Sequence, residues 1–91
     1  MGKKKATYNK TGIESLPDDK PVLYRIETEA GKLNYAGVAQ RGRVQDRLSE
    51  HLGNIPGATV QIEQFNSTED AREKEARVIK KNQPKYNDQD K

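Results

Sequence analysis

Between Val22 and Thr28 the side chains alternate: Val22, Tyr24, Ile26 and Thr28 share one face, and Leu23, Arg25 and Glu27 the other. That is the two-residue period of a β-strand. Leu33 to Val38 reads as its partner strand, and Glu29-Ala30-Gly31-Lys32 as the turn, with Gly31 free to take a positive φ. If Ala30-Gly31 is the two-residue loop, Tyr24 lies opposite Gly37 and Ile26 opposite Tyr35. Both tyrosines then share one face of the hairpin. From Arg43 to Leu52 the period changes. Val44, Leu48 and Leu52 recur every four residues, the apolar stripe of a helix, with Arg47 and His51 flanking it. Gly53 suits its C-terminal cap. Asn54–Gly57 is a loop, Thr59–Phe65 a third strand, and Ser67-Thr68 the cap of a second helix that runs to about Lys81 and stops before Pro84. Upstream, Thr11-Gly12-Ile13-Glu14 has capping-box spacing, and Pro17–Pro21 forces a break.

The order strand, strand, helix, strand, helix predicts an α+β domain with a small three-stranded, mainly antiparallel sheet flanked by helices. Residues 1–12 read as a flexible basic tail, 13–87 as the folded domain, and 88–91 as a second tail. Composition narrows the picture. With 31% hydrophobic residues in 91, the core is small. Without cysteine, and with one histidine, disulfide frameworks and zinc fingers are excluded. No apolar run reaches a membrane span, so a soluble, cytoplasmic protein is expected. A net charge of +3 permits contact with a phosphate backbone without demanding it.

Glu75 breaks the pattern of the second helix. On a wheel at 100° per residue, Val78, Ala71, Glu75 and Ile79 fall at roughly −20°, 0°, 40° and 80°. A carboxylate inside the apolar arc must be protonated, paired with a cation or bound to a metal.

Four separated pieces then match one family in order. Val22-Leu23-Tyr24 stands at a first motif, Tyr35-Ala36-Gly37 at a second, Arg47 and His51 on a helix, and Glu75, Val78, Ile79, Pro84 and Asn87 in a closing pattern. Together they resemble the GIY-YIG nuclease domains of bacterial excision-repair proteins and homing endonucleases, over residues 13 to 87. The first motif keeps only its tyrosine. Ala36 replaces the usual isoleucine. The stretch from Gly37 to Arg47 is about two residues longer, which Gln40-Arg41-Gly42-Arg43 would absorb in a loop.

The resemblance implies a divalent-metal-dependent endonuclease acting on nucleic acid, DNA being the expected substrate, in repair or recombination. It implies that Glu75 holds one Mg²⁺ (or Mn²⁺), since magnesium suits a single carboxylate completed by waters and substrate oxygens. Arg47 would grip a non-bridging phosphate oxygen. Tyr24 or Tyr35 would deprotonate the attacking water, leaving open which. A free phenol near pKa ~10 would have to be lowered by roughly two to three units to do so. His51 would relay a proton or bond a tyrosine hydroxyl. Asn87 would steady Glu75 or the metal, and Gly37 would let backbone approach the active face. Arg41, Arg43 and Lys85 would line a track for the sugar-phosphate backbone, read without sequence preference. Targeting would fall to a partner protein or a second copy. Two other readings stand beside this one: a nucleic-acid-binding module with a lapsed site, and a basic structural protein whose Glu75 sits in a salt bridge.

Overall fold

The strands Val22–Glu27 and Leu33–Ala39 form the expected antiparallel hairpin, with Tyr24 opposite Gly37 and Ile26 opposite Tyr35. The structure, a computed structural model, describes residues 3–84. The register is the expected one, but its cause differs. The Thr28 N–H bonds the Lys32 carbonyl, so the loop has three residues, Glu29 to Gly31, with Gly31 at φ +85°. Past Ile26↔Tyr35 the pairing shifts to Glu27↔Leu33, leaving Asn34 as the extra residue of a bulge. The bulge cancels the longer loop. The Asn34 amide is buried and donates to the Pro56 carbonyl at 2.9 Å, so its polar group is satisfied.

The sheet has four strands, not three. Lys3–Thr7, expected to be flexible tail, is strand β1 and pairs antiparallel with Thr59–Gln64. In chain order the elements are β1 (Lys3–Thr7), α1 (Lys10–Glu14), β2 (Val22–Glu27), β3 (Leu33–Ala39), α2 (Val44–His51), β4 (Thr59–Gln64) and α3 (Thr68–Asn82). The strand order is β1-β4-β2-β3, antiparallel throughout. Pairing of β1 rests on backbone hydrogen bonds, which a run of lysines neither forbids nor advertises. Charged side chains on an edge strand also discourage a further strand from adding there. Asn9 caps α1, accepting from the Gly12 N–H at 2.7 Å, so the ordered chain begins well before Ile13.

The two sheet faces carry separate cores. Against one face α1 and α2 bury Ile13, Val44 and Leu48 over Val22, Tyr24, Ile26, Val60 and Ile62, with Tyr8 and Ile55 closing one end. Against the other, Val78 of α3 packs on Leu23 and Ala36, with Leu33, Phe65 and Ile79 around them. α3 lies over β3 and β2, the half of the sheet away from edge strand β1. Its Ser67 cap accepts from the Asp70 N–H, and it ends at Gln83 in the left-handed region, just before Pro84. Gly53 does not act as the expected left-handed cap of α2. Leu52 stays in the right-handed helical region, and the Asn54 and Ile55 N–H groups both return to the His51 carbonyl.

Candidate active site

Antiparallel pairing sets Tyr24 directly across from Gly37 and diagonal to Tyr35 on the same face. The rings stack, with centroids 6.0 Å apart and planes at 26°. Gly37 is what permits this. A Cβ there would lie 2.5 Å from the Tyr24 hydroxyl oxygen and 3.0 Å from Cε2 of Tyr35. Both tyrosines are buried, so neither ring can swing into solvent to make room. Gly37→Ala should therefore destabilise the fold by about 1–3 kcal/mol, an overpacking penalty. At about 4–8 °C per kcal/mol, that is a clear drop in melting temperature for a domain of this size. Calorimetry of the variant checks it, and an unchanged melting temperature would mean the rings are not held over the glycine.

α2 brings the third ring. With Val44 at 0° on the helix wheel, Leu48, His51 and Arg47 fall at roughly 40°, −20° and −60°. Val44 and Leu48 are fully buried, His51 is half-buried, and the Arg47 side chain is 43% exposed at the rim. His51 thereby reaches inward. Its Nε2 lies 2.8 Å from the Tyr24 hydroxyl, and its ring centroid is 4.8 Å from that of Tyr35. A neutral imidazole with its proton on Nδ1 accepts from Tyr24 through Nε2; the other tautomer donates to it. Tyr8 is no rival to these phenols. Its hydroxyl donates to the Ile55 carbonyl at 2.9 Å, and burial, with repulsion from Tyr24 second, pushes its pKa up to about 12. It stays protonated.

The position of α2 depends on a contact from far away in sequence. Arg43 occupies the N-cap position but makes no capping bond with its side chain. The carboxylate of Asp18 accepts from the Val44 N–H at 2.8 Å instead, and the Asp18 carbonyl accepts from the Gly42 N–H. Gln45 reaches back to the Glu14 and Leu16 carbonyls. Asp18→Ala should cost about 0.5–2 kcal/mol, the usual loss for a helix cap, whereas Asp18→Asn should recover most of it. Urea midpoints of the two variants give the comparison; equal losses would remove the capping role.

Gln40 to Arg43 is the expected loop before α2. The Arg43 N–H closes on the Gln40 carbonyl at 2.9 Å and Gly42 sits at φ +83°, the geometry of a type II turn. Arg41 and Arg43 are exposed on it. Val38, Ala39 and Gln40 then line a hollow of about 330 Å³ with Arg43, Arg47 and Arg72. Arg47 also lies 3.7 Å from Glu50, an exposed pair of the kind worth about 0–1 kcal/mol that a phosphate can displace. Arg72 is a lining residue that the sequence pattern did not single out.

Glu75 sits on α3 between the buried stripe of Ala71 and Val78 and the edge that carries Arg72. It is half-buried, not turned to open solvent. Among the described residues no three histidine, cysteine or acidic side chains cluster as a metal cage. One carboxylate of hard oxygen donors fits magnesium or manganese, which complete their coordination with water and substrate oxygens. Ala36, the small residue of the second motif, faces α3 on the opposite side of the sheet from the tyrosines. Lys85 and Asn87 lie outside the described residues.

The fold is that of a GIY-YIG nuclease domain. Among solved structures the chain is similar to the GIY-YIG N-terminal endonuclease domain of UvrC from Thermotoga maritima, bound to its catalytic divalent cation, magnesium. Identity is 26% and the TM-score 0.66, over 79% of this chain and 88% of that one. A variant of that domain with one tyrosine replaced by phenylalanine, also holding the cation, is 25% identical with a TM-score of 0.66 over the same shares. A third, with an asparagine replaced by alanine and the cation bound, is 27% identical with a TM-score of 0.61, over 78% of this chain and 86% of that one. No protein-family model matches the sequence, and no curated protein matches it. Among the described residues no helix is long and apolar enough to cross a membrane.

Proposed function

We propose that this chain is a divalent-metal-dependent endonuclease that hydrolyses nucleic-acid phosphodiester bonds, with DNA as its expected substrate. The observation that carries the reading is the gathering of Tyr24 and Tyr35 from the hairpin with His51 from α2, the helix that also bears the rim arginine Arg47, on one face of a GIY-YIG fold.

Glu75 would hold one Mg²⁺ or Mn²⁺, which when bound offsets charge on the phosphate and acidifies a water. Arg47, on its exposed rim, grips a non-bridging oxygen of the scissile phosphate and steadies the charge that builds there. One of the two phenols, once it has passed its own proton on and stands as phenolate, takes the proton of the attacking water. Tyr24 has the better-defined outlet for a proton, because His51 Nε2 stands 2.8 Å from its hydroxyl. Tyr35, stacked on Tyr24 and against His51, orients the pair. Gly37 keeps the strand bare where the phenols lie. Asn87 steadies Glu75, and Arg41, Arg43 and Lys85 follow the sugar-phosphate backbone without reading bases. Sequence or shape preference would come from a targeting partner or a second copy. A cytoplasmic role in repair or recombination accords with this chemistry.

The reduced first motif does not argue for a lapsed site. Val22 and Leu23 are fully buried in the two opposite cores, so their identities answer to packing. The test is nicking of supercoiled, branched and single-stranded DNA in Mg²⁺ or Mn²⁺, with a chelator control. Cleavage that stops on metal removal supports the reading. Salt-sensitive binding without any cutting would replace it with a binding module.

A further inference from the structure

We propose that Arg72, with Arg43, forms a second phosphate subsite beside Arg47, so that the protein holds two consecutive phosphates of one strand and cuts only where the strand continues past the scissile linkage. This rests on the nuclease reading and goes beyond it by naming a substrate requirement. Three guanidinium groups, from the start of α2, its second turn and the second turn of α3, line one hollow. A single phosphodiester carries one negative charge. In the proposed mechanism the scissile phosphate already has Arg47 and the cation at Glu75. Arg43 and Arg72 are then in excess of what one phosphate needs.

The existing ion pairs do not absorb that excess. Arg43 lies 3.6 Å from Asp46 and Arg47 3.7 Å from Glu50, all four side chains well exposed, so both pairs are weak. Arg72 has no ion pair among the described residues. Like charges drawn into one concavity repel, and a second anion relieves that repulsion. The hollow has the capacity for it. Its volume of about 330 Å³ is more than twenty times the roughly 10–15 Å³ that a cavity needs to hold one water. Val38 and Ala39, at the end of β3, line it together with the arginines at the start of α2, on α2 and on α3, so a strand held there would lie between the two helices.

A neutral methylphosphonate walked along a DNA duplex tests this directly. With Mg²⁺ and the full chain, cuts are mapped around each neutral linkage. For the wild type, cutting should fall at least about fivefold at the linkage itself and at one neighbouring linkage, always on the same side. Arg72→Ala should abolish the neighbouring gap while keeping the one at the linkage itself, and Arg72→Lys should restore part of it. Lys74→Ala, a cation on another side of α3, should leave both gaps in place. A wild-type map with a gap only at the neutral linkage overturns the second subsite while leaving the nuclease reading intact. So does an Arg72→Ala map identical to wild type, or loss of the neighbouring gap in Lys74→Ala. Absence of any cutting by the wild type overturns the nuclease reading and this subsite with it.

Discussion

Glu75→Gln is expected to lower metal-dependent cleavage by at least about a hundredfold while leaving the fold in place, because it removes the one carboxylate proposed to hold the cation. The substitution keeps the size of the side chain and replaces an anionic oxygen with an amide nitrogen, a poor partner for a hard divalent ion. Stability should barely change, within about 4 °C in melting temperature. The residue is half-buried between the apolar stripe and the Arg72 edge, so no cavity is created. Calorimetric titration with Mn²⁺ supplies a readout independent of turnover: heat of binding in the wild type and none in the variant. The opposite pair of results, a destabilised variant that binds Mn²⁺ as well as the wild type, would make Glu75 a structural ion and remove the cation from the mechanism.

The hairpin, both main helices and the half-buried glutamate were legible from period and punctuation alone. Val22–Glu27 alternates, Val44 and Leu48 repeat at helical spacing, and Ser67 and Pro84 bracket α3. Those signals are local, and local signals survive in a single sequence. What escaped was non-local. β1 is a lysine run whose strand state is decided by the backbone of β4, more than fifty residues away. The cap of α2 comes from Asp18, across the Pro17–Pro21 break, so no motif next to Val44 announces it. The turn pattern predicts a shorter hairpin loop than the real one, and the compensating bulge at Asn34 leaves no mark until its amide finds Pro56.

The site divides along the same line. Tyr24 and Tyr35 follow from strand pairing, and His51 from helical spacing behind Arg47, so their meeting was foreseeable once the register was right. Arg72 was not. At roughly 100° on the wheel of α3 it falls outside the apolar arc, where an arginine ordinarily belongs to the solvated face. Only the stacking of α3 over β3 and β2 brings it to the hollow shared with Arg43 and Arg47. Surface charge acquires meaning from its neighbours in space, and here the two neighbours, Arg43 and Arg47, precede Arg72 by 29 and 25 residues.

Arg47→Ala should cost about a hundredfold to a thousandfold in turnover, equivalent to about 2.7–4 kcal/mol of transition-state stabilisation. The loss should fall on kcat more than on KM, since the contact tightens as charge builds on the phosphate. Folding should be nearly untouched, because among the described residues the only ion pair the variant breaks is the exposed one with Glu50. Arg47→Lys separates charge from geometry. Lysine keeps the cation but loses the planar fork that meets two oxygens at once, so it should recover no more than about a tenth of the wild-type rate. Steady-state kinetics on a single labelled oligonucleotide, with melting curves beside them, decide the matter. A lysine variant as fast as the wild type would show that Arg47 acts only as a diffuse positive charge. An alanine variant changed in KM alone would move Arg47 from the scissile phosphate to the binding track, leaving the phenols and Glu75 to carry the chemistry.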